Sequence, residues 1–441
     1  MNRKVSLLYI SLACVLSLQA QTRQQMGGVY YAYPEGPSAK TGTFGTATYV
    51  LSDSLNVPQG YAPFYISHYG RHGSRWMPKD DRYVWICKHF EDESNLTPLG
   101  LQVKGMLQRV WENAKGNGGK LSKLGALQHQ GIAHRMFERY PQIFAAGNAV
   151  KARSSVVDRC AKSMQAFTSE LHTLQSGLNL DVKTDSADMA WIAYVSPEVK
   201  ALENRTHVQA QVSPRRFLLQ LFKDVSKVDE PLKLMTEMHT VVSSIQDVGL
   251  NFSSYPQDIE DGLNALFTDD EFRAIYEANN LRMTINNGTV ATNEDIPARS
   301  AISLWQNIEA EADRALRSVK SSATLRFGHD TALYRLLSLL FDVNVPPAGA
   351  REEASLVVLG DEMEKMDRIV PMAANLQMIF YKNAKDSVLV KFMLNERDIM
   401  LSPVGQVIYG THYYSWNAWK QEMHERIHRL EHIRQLNAIN T

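Results

Sequence analysis

The alternation of hydrophobic and polar positions predicts strands and helices in turn along most of the chain. Residues 63–69 alternate aromatic and β-branched side chains, which is the pattern of a strand. Thr97 and Pro98 provide an N-cap and a first helical position, so a helix begins there and runs to about Ala114. This order is typical of an α/β fold with a mostly parallel sheet flanked by helices. Further strands are predicted at 149–154, 179–182, 323–328, 376–381 and 387–394, and further helices at 124–145, 156–174, 331–341 and 416–436.

The middle of the chain has helical periods without intervening strands. Between about residues 197 and 280, apolar residues recur at helical spacing, for example at 217–222. We therefore predict an α-helical cap subdomain at 186–289. It is inserted between the two parts of an α/β core, residues 21–185 and 290–441.

The first twenty residues have the pattern of a signal peptide. Arg3 and Lys4 precede an apolar stretch, and Ala20 is a small residue at a plausible cleavage site. The stretch is too short for a membrane span. The pattern predicts an exported protein, periplasmic or secreted. A lipoprotein cleaved before Cys14 is the less favoured alternative.

Composition and charge limit the classes of function. The chain has 441 residues, of which 44% are hydrophobic and 21% charged, as in ordinary globular proteins. Lys and Arg together number 47, as do Asp and Glu, so no global positive field favours nucleic acid or anionic lipid. An anionic ligand would have to be bound by a local cluster of basic residues.

Only Cys87 and Cys160 follow the predicted signal peptide. Two cysteines do not make a disulfide framework in a chain of this size, and the sequence leaves open whether they pair. No cysteine and histidine spacing typical of a zinc site is present. We expect Cys160 to be a buried structural thiol.

The segment Gly70-Arg71-His72-Gly73-Ser74-Arg75 places one imidazole between two guanidinium groups directly after a predicted strand. Ligands of open α/β sheets lie at strand ends, and arginine forks match phosphoryl oxygens. Cationic neighbours disfavour the charged form of a histidine and leave a neutral nitrogen able to attack phosphorus. Gly70 and Gly73 would allow a sharp turn and a close approach to the ligand. The alternative is a solvated basic turn.

A second constellation, Gly328-His329-Asp330-Thr331, also lies between a predicted strand and helix. Here His329 is a candidate donor to a phosphate oxygen, and Asp330 a candidate proton donor to the leaving group. The alternative for Asp330 is simple capping of the helix.

Three further residues are candidates near these strand ends. Arg159 lies near the start of the helix after the strand at 149–154, where free N–H groups already favour anions, and it would add a third fork. An exposed helical arginine is the alternative. Arg153, at the end of that strand, is a candidate for the outer pocket. His68 shares strand parity with His72, but we expect it to be a packed histidine.

GRHGSR at 70–75 together with GHDT at 328–331 resembles the histidine acid phosphatase branch of the histidine phosphatase superfamily. That family has Arg-His-Gly-x-Arg followed closely by Pro as its nucleophile motif and His-Asp as its donor motif. Residues 121–144 and 150–167, with Arg-Cys at 159–160 and LNER at 394–397, are similar to the multiple inositol polyphosphate phosphatase subgroup. The similarity covers about 64–175 and 322–397 and implies a histidine phosphatase core.

The sequence departs from these patterns at two positions. Pro78 follows Arg75 after two residues rather than one. The inositol polyphosphate subgroup usually has His-Ala-Glu as its donor motif, whereas His329-Asp330-Thr331 is the pattern of bacterial phytases and the broader acid phosphatases. Substrate and regioselectivity therefore do not follow from the resemblance.

The resemblance implies a role for each matching residue. His72 attacks phosphorus and becomes a phosphohistidine, and Asp330 protonates the departing alkoxide and later helps to activate water. Arg71, Arg75 and Arg159 hold the phosphoryl oxygens with the help of His329. Three arginines supply the positive charge that a metal brings elsewhere, so we expect no metal and no other cofactor.

We therefore predict a metal-independent phosphomonoesterase for small phosphate monoesters, with inositol polyphosphates as expected substrates. A broad-specificity acid phosphatase, acting on sugar phosphates or 2,3-bisphosphoglycerate, is one alternative. A metal-dependent His-Asp phosphohydrolase and a non-catalytic envelope protein that binds phosphorylated ligands are two others. Candidate contacts to further phosphates are Lys79, Arg82, Arg215 and Arg216, although the last two also suit a solvated helix start.

Overall fold

The computed structural model describes residues 22–33, 57–340, 365–399 and 413–439, with the short strands β1 (Thr43–Phe44) and β2 (Ala47–Thr48). The predicted signal peptide and Cys14 lie outside the described residues. The remaining strands are β3 (Tyr61–Arg71), β4 (Ala149–Ser154), β5 (Asn179–Thr184), β6 (Ser322–Gly328), β7 (Asn375–Asn383), β8 (Val388–Leu394), β9 (Arg397–Ile399) and β10 (Tyr414–Ser415).

The strands β3–β10 form one sheet in the order β10-β8-β7-β3-β6-β4-β5, with β9 paired to β8. Strands β3, β6, β4 and β5 run parallel to one another. Strands β7, β8 and β10 continue the sheet in antiparallel pairs beyond β3. The predicted fold class, a sheet flanked by helices, is confirmed, and the parallel strands are the ones that carry both sequence motifs.

Fifteen helices are described, and most predicted helices occur within a few residues of their expected bounds. They are α1 (Asp80–Lys88), α2 (Pro98–Ala114), α3 (Lys123–Arg139), α4 (Asp158–Leu174), α5 (Met189–Ile192), α6 (Pro197–Arg205), α7 (Arg215–Leu221), α8 (Pro231–Val248), α9 (Gln257–Asn264), α10 (Asp269–Asn287), α11 (Ile296–Ser300), α12 (Ile302–Leu316), α13 (Asp330–Leu340), α14 (Met366–Ile369) and α15 (Trp416–Ile439). A short 3₁₀ segment, Gln25–Tyr30, precedes them.

The central strands β3, β6 and β7 are mostly buried on both faces of the sheet, whereas the edge strand β5 is largely exposed. Tyr65 and Tyr69 of β3 face a cluster that includes side chains of α12, α13 and α15, whereas Ile66 faces a second cluster that includes side chains of α3 and α4. This two-sided burial explains why the strands are apolar at successive positions. It also holds the strand ends in fixed positions, because helices cover both faces.

A third cluster is formed mainly by helical side chains. Its side chains come from α1, α2 and α7–α10, with Met26 from the N-terminal segment and Trp76 and Met77 from the stretch after β3. Between β5 and β6 the described regular elements are all helices, and some of them pack against α1 and α2. The division into a core and a cap at 186–289 stays a prediction. In the described part of the chain, no helix is long and apolar enough to cross a membrane.

Candidate active site

The two sequence motifs meet at the ends of neighbouring parallel strands. Arg71 ends β3, and its Cα pairs with that of Gly328 at the end of β6. The His72 N–H donates to the Gly328 carbonyl at 3.0 Å, so the strand pairing continues into the motif. On the other side of β6, β4 ends at Ser154, opposite Phe327. Parallel pairing therefore brings three sequence-distant segments to one edge of the sheet.

The His72 ring is buried, with 2% of the residue exposed, and its tautomer is fixed. Its Nδ1 lies 2.9 Å from the Gly73 carbonyl oxygen, which can only accept, so Nδ1 carries the proton and Nε2 keeps its lone pair. Burial and then the charges of Arg71, Arg75 and Arg159 hold the pKa of His72 well below its usual value. The result is a neutral imidazole with a free Nε2 lone pair.

Arg71 is fully buried and anchored on one side. Its Nη1 donates to the carbonyl of Val29 at 2.7 Å and to that of Val370 at 2.6 Å. Its Nη2 lies 3.0 Å from Oδ2 of Asp330. The guanidinium is therefore fixed between the backbone and the carboxylate of the second motif.

Arg75 and Arg159 are held by backbone carbonyls in a similar way. Nη1 of Arg75 donates to Trp76 O at 2.8 Å, and its guanidinium carbon lies 5.3 Å from the centre of the Tyr30 ring. Nη1 of Arg159 lies 3.5 Å from Gly119 O. Each arginine thus uses one nitrogen for anchoring.

In the part of the chain that the structure describes, one buried nitrogen of each guanidinium group lacks a hydrogen-bond partner. Within the described residues, the buried Nε atoms of Arg71, Arg75 and Arg159 make no hydrogen bond, and the Nη2 of Arg71 has only its ion pair with Asp330. Buried charged donors are costly when unsatisfied, so several of them around one imidazole need an explanation. Phosphoryl oxygens are acceptors of the geometry that arginine forks match.

His329 contributes a second neutral imidazole beside His72. The two ring centres lie 5.7 Å apart, with the ring planes at 75°. Nε2 of His329 lies 3.2 Å from Oγ of Ser155, which follows β4. Burial and then the charge of Arg159 lower the pKa of His329 to about 4. Its ring can therefore donate only one hydrogen bond at neutral pH.

Asp330 begins α13 and has two functions in the structure. Its Oδ1 accepts from the N–H of Thr331 at 2.8 Å, which is a capping contact, and its Oδ2 pairs with Arg71. Burial raises the pKa of this carboxyl, but Arg71, with smaller contributions from His329 and Arg75, brings the pKa below its usual value. Asp330 therefore caps the helix and also forms an ion pair with a residue of the first motif.

The glycines of the first motif serve close packing rather than a turn. Gly70 lies inside β3, and neither Gly70 nor Gly73 has a positive φ. A Cβ on Gly73 would lie 2.3 Å from the carbonyl oxygen of Gly125 in α3, which is far inside van der Waals contact. The backbone of residue 73 is therefore pressed against a helix, and a side chain there has no room.

The remaining sequence candidates have other contacts. Arg153 donates to Asp181 of β5, with Nη2 2.6 Å from Oδ2, and no contact joins it to His72 within the described residues. Its part in the outer pocket stays a prediction. His68 is a packed histidine, as expected, with ring centres 5.4 Å from those of Phe167 and Phe327.

Both described cysteines are free thiols, so the disulfide left open by the sequence is not formed. The Cys160 Sγ lies 3.2 Å from the carbonyl of Gly328, and burial raises the pKa of this thiol to about 11. The expectation of a buried structural thiol is confirmed.

The candidate residues for binding further phosphates differ in whether they are already paired with a carboxylate. Arg82 is paired with Glu237 through Nε at 2.8 Å, and Arg216 is paired with Glu271 through Nε at 2.8 Å. Lys79 is exposed. The two paired arginines are therefore engaged in contacts of the helical region.

Several residues around the site were missed by the sequence reasoning. Asp247 of α8 and Gln128 of α3 both contact Ser74, and Ser163 of α4 accepts from the Gly73 N–H at 3.1 Å. Asp247 lies on the apolar face of a helix, between buried residues such as Val242 and Val248. A lone carboxylate on such a face is a signal that could have been used. No group of three or more metal-binding side chains occurs in the described residues.

The sheet order and the helical layers agree with the fold that the resemblance of the two motifs implies, and the comparisons with known proteins support that resemblance. No family model matches the sequence. The chain is 23% identical over 335 residues to the curated multiple inositol polyphosphate phosphatase 1 of Gallus gallus, covering 73% of each protein.

Two solved structures show the same fold. The multiple inositol polyphosphate phosphatase of Bifidobacterium longum, solved with inositol hexasulfate, superposes with a TM-score of 0.68 at 15% identity, covering 90% of this chain and 97% of that one. The phytase from D. castellii gives a TM-score of 0.62 at 12% identity, covering 92% and 85% of the two chains. At these identities, the structural comparisons establish the fold.

Proposed function

We propose that this protein is a phosphomonoesterase that works through a phosphohistidine at His72. The observation that carries the proposal is the set of buried Nε donors of Arg71, Arg75 and Arg159 that make no hydrogen bond within the described residues, around a neutral histidine. A bound phosphoryl group satisfies those donors, and the free Nε2 lone pair is the nucleophile. One buried cluster thus contains both the phosphoryl-binding groups and the nucleophile.

The reaction has two steps, and each conserves its atoms and protons. In the first, Nε2 of His72 bonds to phosphorus while the bond from phosphorus to the ester oxygen breaks, and Asp330 gives a proton to that oxygen. In the second, water attacks phosphorus and its proton passes to the Asp330 carboxylate, which frees His72 and releases phosphate. The arginines and His329 hold the oxygens, so catalysis is mainly positioning and charge stabilisation.

Asp330 must carry a proton in the substrate complex, although its pKa is lowered in the unliganded protein. A bound phosphate offsets the charge of Arg71 and adds negative charge near the carboxyl, and both effects raise the pKa of Asp330. The proton can also enter as the monoanion of the substrate. Acid pH favours either route, so an acid optimum is expected.

Inositol polyphosphates are the substrates that the surroundings of the site suit best. Lys79 and Lys120 are exposed and form no ion pair within the described residues. Lys120 adjoins Gly119, the residue whose carbonyl anchors Arg159, and the Gly119 N–H donates to Met77 O at 2.8 Å near Lys79. Positive charge at this edge suits a substrate with several phosphates. The curated relative and the B. longum neighbour are inositol polyphosphate phosphatases by name.

We also propose that the protein is exported, in the periplasm or secreted, on the pattern of residues 1–20. Detection of a mature N-terminus near Gln21 in the periplasmic or culture fraction tests this. A full-length chain found in the cytoplasmic fraction alone would contradict it.

The activity is tested by phosphate release from inositol hexakisphosphate in EDTA. Wild type is expected to release phosphate, His72→Ala is not, and His172→Ala, which changes an exposed histidine of α4, should match wild type. Equal release by wild type and His72→Ala would contradict the assignment of His72. Activity that is lost in EDTA and restored by a divalent ion would favour the metal-dependent alternative. Stoichiometric binding without release would favour a binding protein.

A further inference from the structure

A buried carboxylic acid lies behind the arginine cluster and has no part in the reaction proposed above. Asp247, in the last turn of α8, is 0% exposed. Its Oδ1 accepts from the hydroxyl of Ser74 at 2.6 Å. Ser74 lies between Gly73 and Arg75 in the first motif, so the carboxyl contacts the loop that carries the nucleophile and two arginines.

Further hydrogen bonds connect Ser74 to Gln128 and Ser122. The Ser74 N–H donates to Oε1 of Gln128 at 2.8 Å, and Nε2 of Gln128 donates to Oγ of Ser74 at 2.9 Å and to Tyr33 O at 3.2 Å. The Ser122 hydroxyl donates to Ser74 O at 2.9 Å. Oγ of Ser74 accepts from Gln128 and donates its own proton to Oδ1 of Asp247. Every polar group of Ser74 is therefore used to hold the loop.

The second oxygen of Asp247 is isolated. Oδ2 is buried and makes no hydrogen bond within the described residues, and no salt bridge to Asp247 is formed there. Arg71 and Arg75 are the positive charges that act on the carboxyl, and the Tyr255 hydroxyl is the other titratable group nearby. A buried carboxylate with one hydrogen bond is unfavourable, so the acid form is preferred. Burial raises the pKa of Asp247 to about 8, against the opposing effects of Ser74 and the two arginines.

We propose that Asp247 is a positioning residue for phosphoryl binding, which holds Ser74 from behind as a neutral carboxylic acid and leaves the charge of Arg71 and Arg75 to the ligand. An ionised carboxylate at the same place would offset that charge. The inference rests on the proposed function, because it assumes that the arginine cluster binds a phosphoryl group.

The proposal has a consequence for anion affinity. Above neutral pH, Asp247 ionises in the unliganded protein, and a bound dianion opposes that ionisation. By linkage, affinity for a dianion then falls as pH rises, by at most about tenfold per pH unit. His72 and His329 stay neutral above neutral pH, because their pKa values are lowered. Tyr255 also stays neutral in this pH range, because burial raises its pKa.

Sulfate is the probe that isolates this effect, because it stays a dianion between pH 6 and 9. Its affinity is measured by calorimetry on the full chain as wild type, Asp247→Asn and Asp270→Asn. Asp247→Asn keeps an acceptor for Ser74 but never ionises. Asp270→Asn removes a carboxylate from an exposed position in α10 and is the matched control.

We expect the sulfate Kd of wild type and of Asp270→Asn to rise by about tenfold from pH 7 to 9, and that of Asp247→Asn to stay within about twofold. Ser74→Ala, which removes the hydroxyl donor, raises the pKa of Asp247 and should move the rise in Kd to higher pH. If Asp247→Asn does not fold, the shift in the pH profile of the sulfate Kd of Ser74→Ala tests the proposal instead.

The proposal is overturned if Asp247→Asn and wild type lose sulfate affinity equally with pH, or if Ser74→Ala leaves the profile unchanged. Sulfate binding needs no turnover. A wild type that binds sulfate with the expected profile but releases no phosphate would therefore overturn the proposed function and not the role of Asp247.

Discussion

At the scale of single residues, the surroundings of each site group set its protonation state. His72 is neutral because it is buried among arginines, and the Gly73 carbonyl places its proton on Nδ1. Asp330 is the opposite case, since Arg71 stabilises its ionised form in the unliganded protein. In the proposed mechanism, the nucleophile is therefore ready before substrate binds, whereas the acid has to acquire its proton with the substrate.

Replacing Asp330 by Asn tests its role as proton donor. The variant should hydrolyse an alkyl phosphate more slowly by about 10²–10⁴-fold, because an alkoxide is a poor leaving group without a proton. Hydrolysis of p-nitrophenyl phosphate, whose leaving group barely needs the proton, should fall much less. Steady-state kinetics on both substrates give the comparison, and equal losses would show that Asp330 acts structurally.

At the scale of elements, the loop after β3 is pressed against the start of α3. Just as Gly73 approaches Gly125, a Cβ on Gly125 would lie 2.2 Å from the carbonyl oxygen of Ser74. Ser122, the N-cap of α3, bonds back to the same carbonyl. Two glycines thus allow the helix to support the nucleophile loop directly.

Gly125→Ala should therefore lower the free energy of unfolding by about 3 kcal/mol and reduce activity with it. Gly105→Ala is the matched control, because a Cβ there meets nothing within 4 Å in the middle of α2. It should raise stability by about 0.5–1 kcal/mol, the usual gain in helix propensity. Denaturant unfolding of both variants checks this, and equal effects would contradict the close packing.

The loop between α2 and α3 gives a test of substrate class. Lys120→Ala should raise KM for inositol hexakisphosphate by about fivefold, the effect of a surface charge contact of about 1 kcal/mol. It should leave KM for p-nitrophenyl phosphate unchanged, because that substrate has one phosphate. Lys385→Ala, an exposed lysine in the β7–β8 turn, is the control. Equal changes on both substrates would argue against contact with a second phosphate.

At the scale of the whole molecule, buried histidines link stability to pH, and three of them lie outside the residues of the proposed reaction. Burial lowers the pKa values of His68, His129 and His239 to about 3 in the folded protein. The unfolded chain takes up protons below pH ~6.5 while the folded protein does not. Their contribution to stability is therefore complete above that pH and is lost as pH falls toward 3, by about 1.4 kcal/mol per pH unit for each histidine.

His68→Phe should remove the share of one histidine, so the free energy of unfolding should fall less steeply with decreasing pH, by about 1.4 kcal/mol per pH unit. A phenyl ring suits the site, because His68 already packs between Phe167 and Phe327. His172→Phe, at an exposed position, should leave the pH dependence of unfolding as in wild type. Chemical unfolding from pH 7 to 5 measures the slopes, and identical slopes in His68→Phe and wild type would contradict the account.

The sequence predicts the strands that carry both motifs, because their patterns are local. It also places His72 and Asp330 at strand ends, which parallel pairing then brings together. Asp247 and Gln128 could not be predicted in the same way, since their contacts to Ser74 depend on how α8 and α3 pack. Likewise, the packing role of Gly73 was missed because no local pattern shows which helix passes behind the loop.

The most direct test of the central claim is detection of a phosphate on His72 during turnover. Wild type mixed with excess substrate, quenched in alkali where phosphohistidine survives, and digested for mass spectrometry should yield the peptide containing His72 with one phosphoryl group on the imidazole. Asp330→Asn with p-nitrophenyl phosphate should yield more of it, because Asp330 also helps water to attack in the second step. Turnover with phosphate on another residue, or with none on His72 at times short enough to capture the first step, would contradict the account.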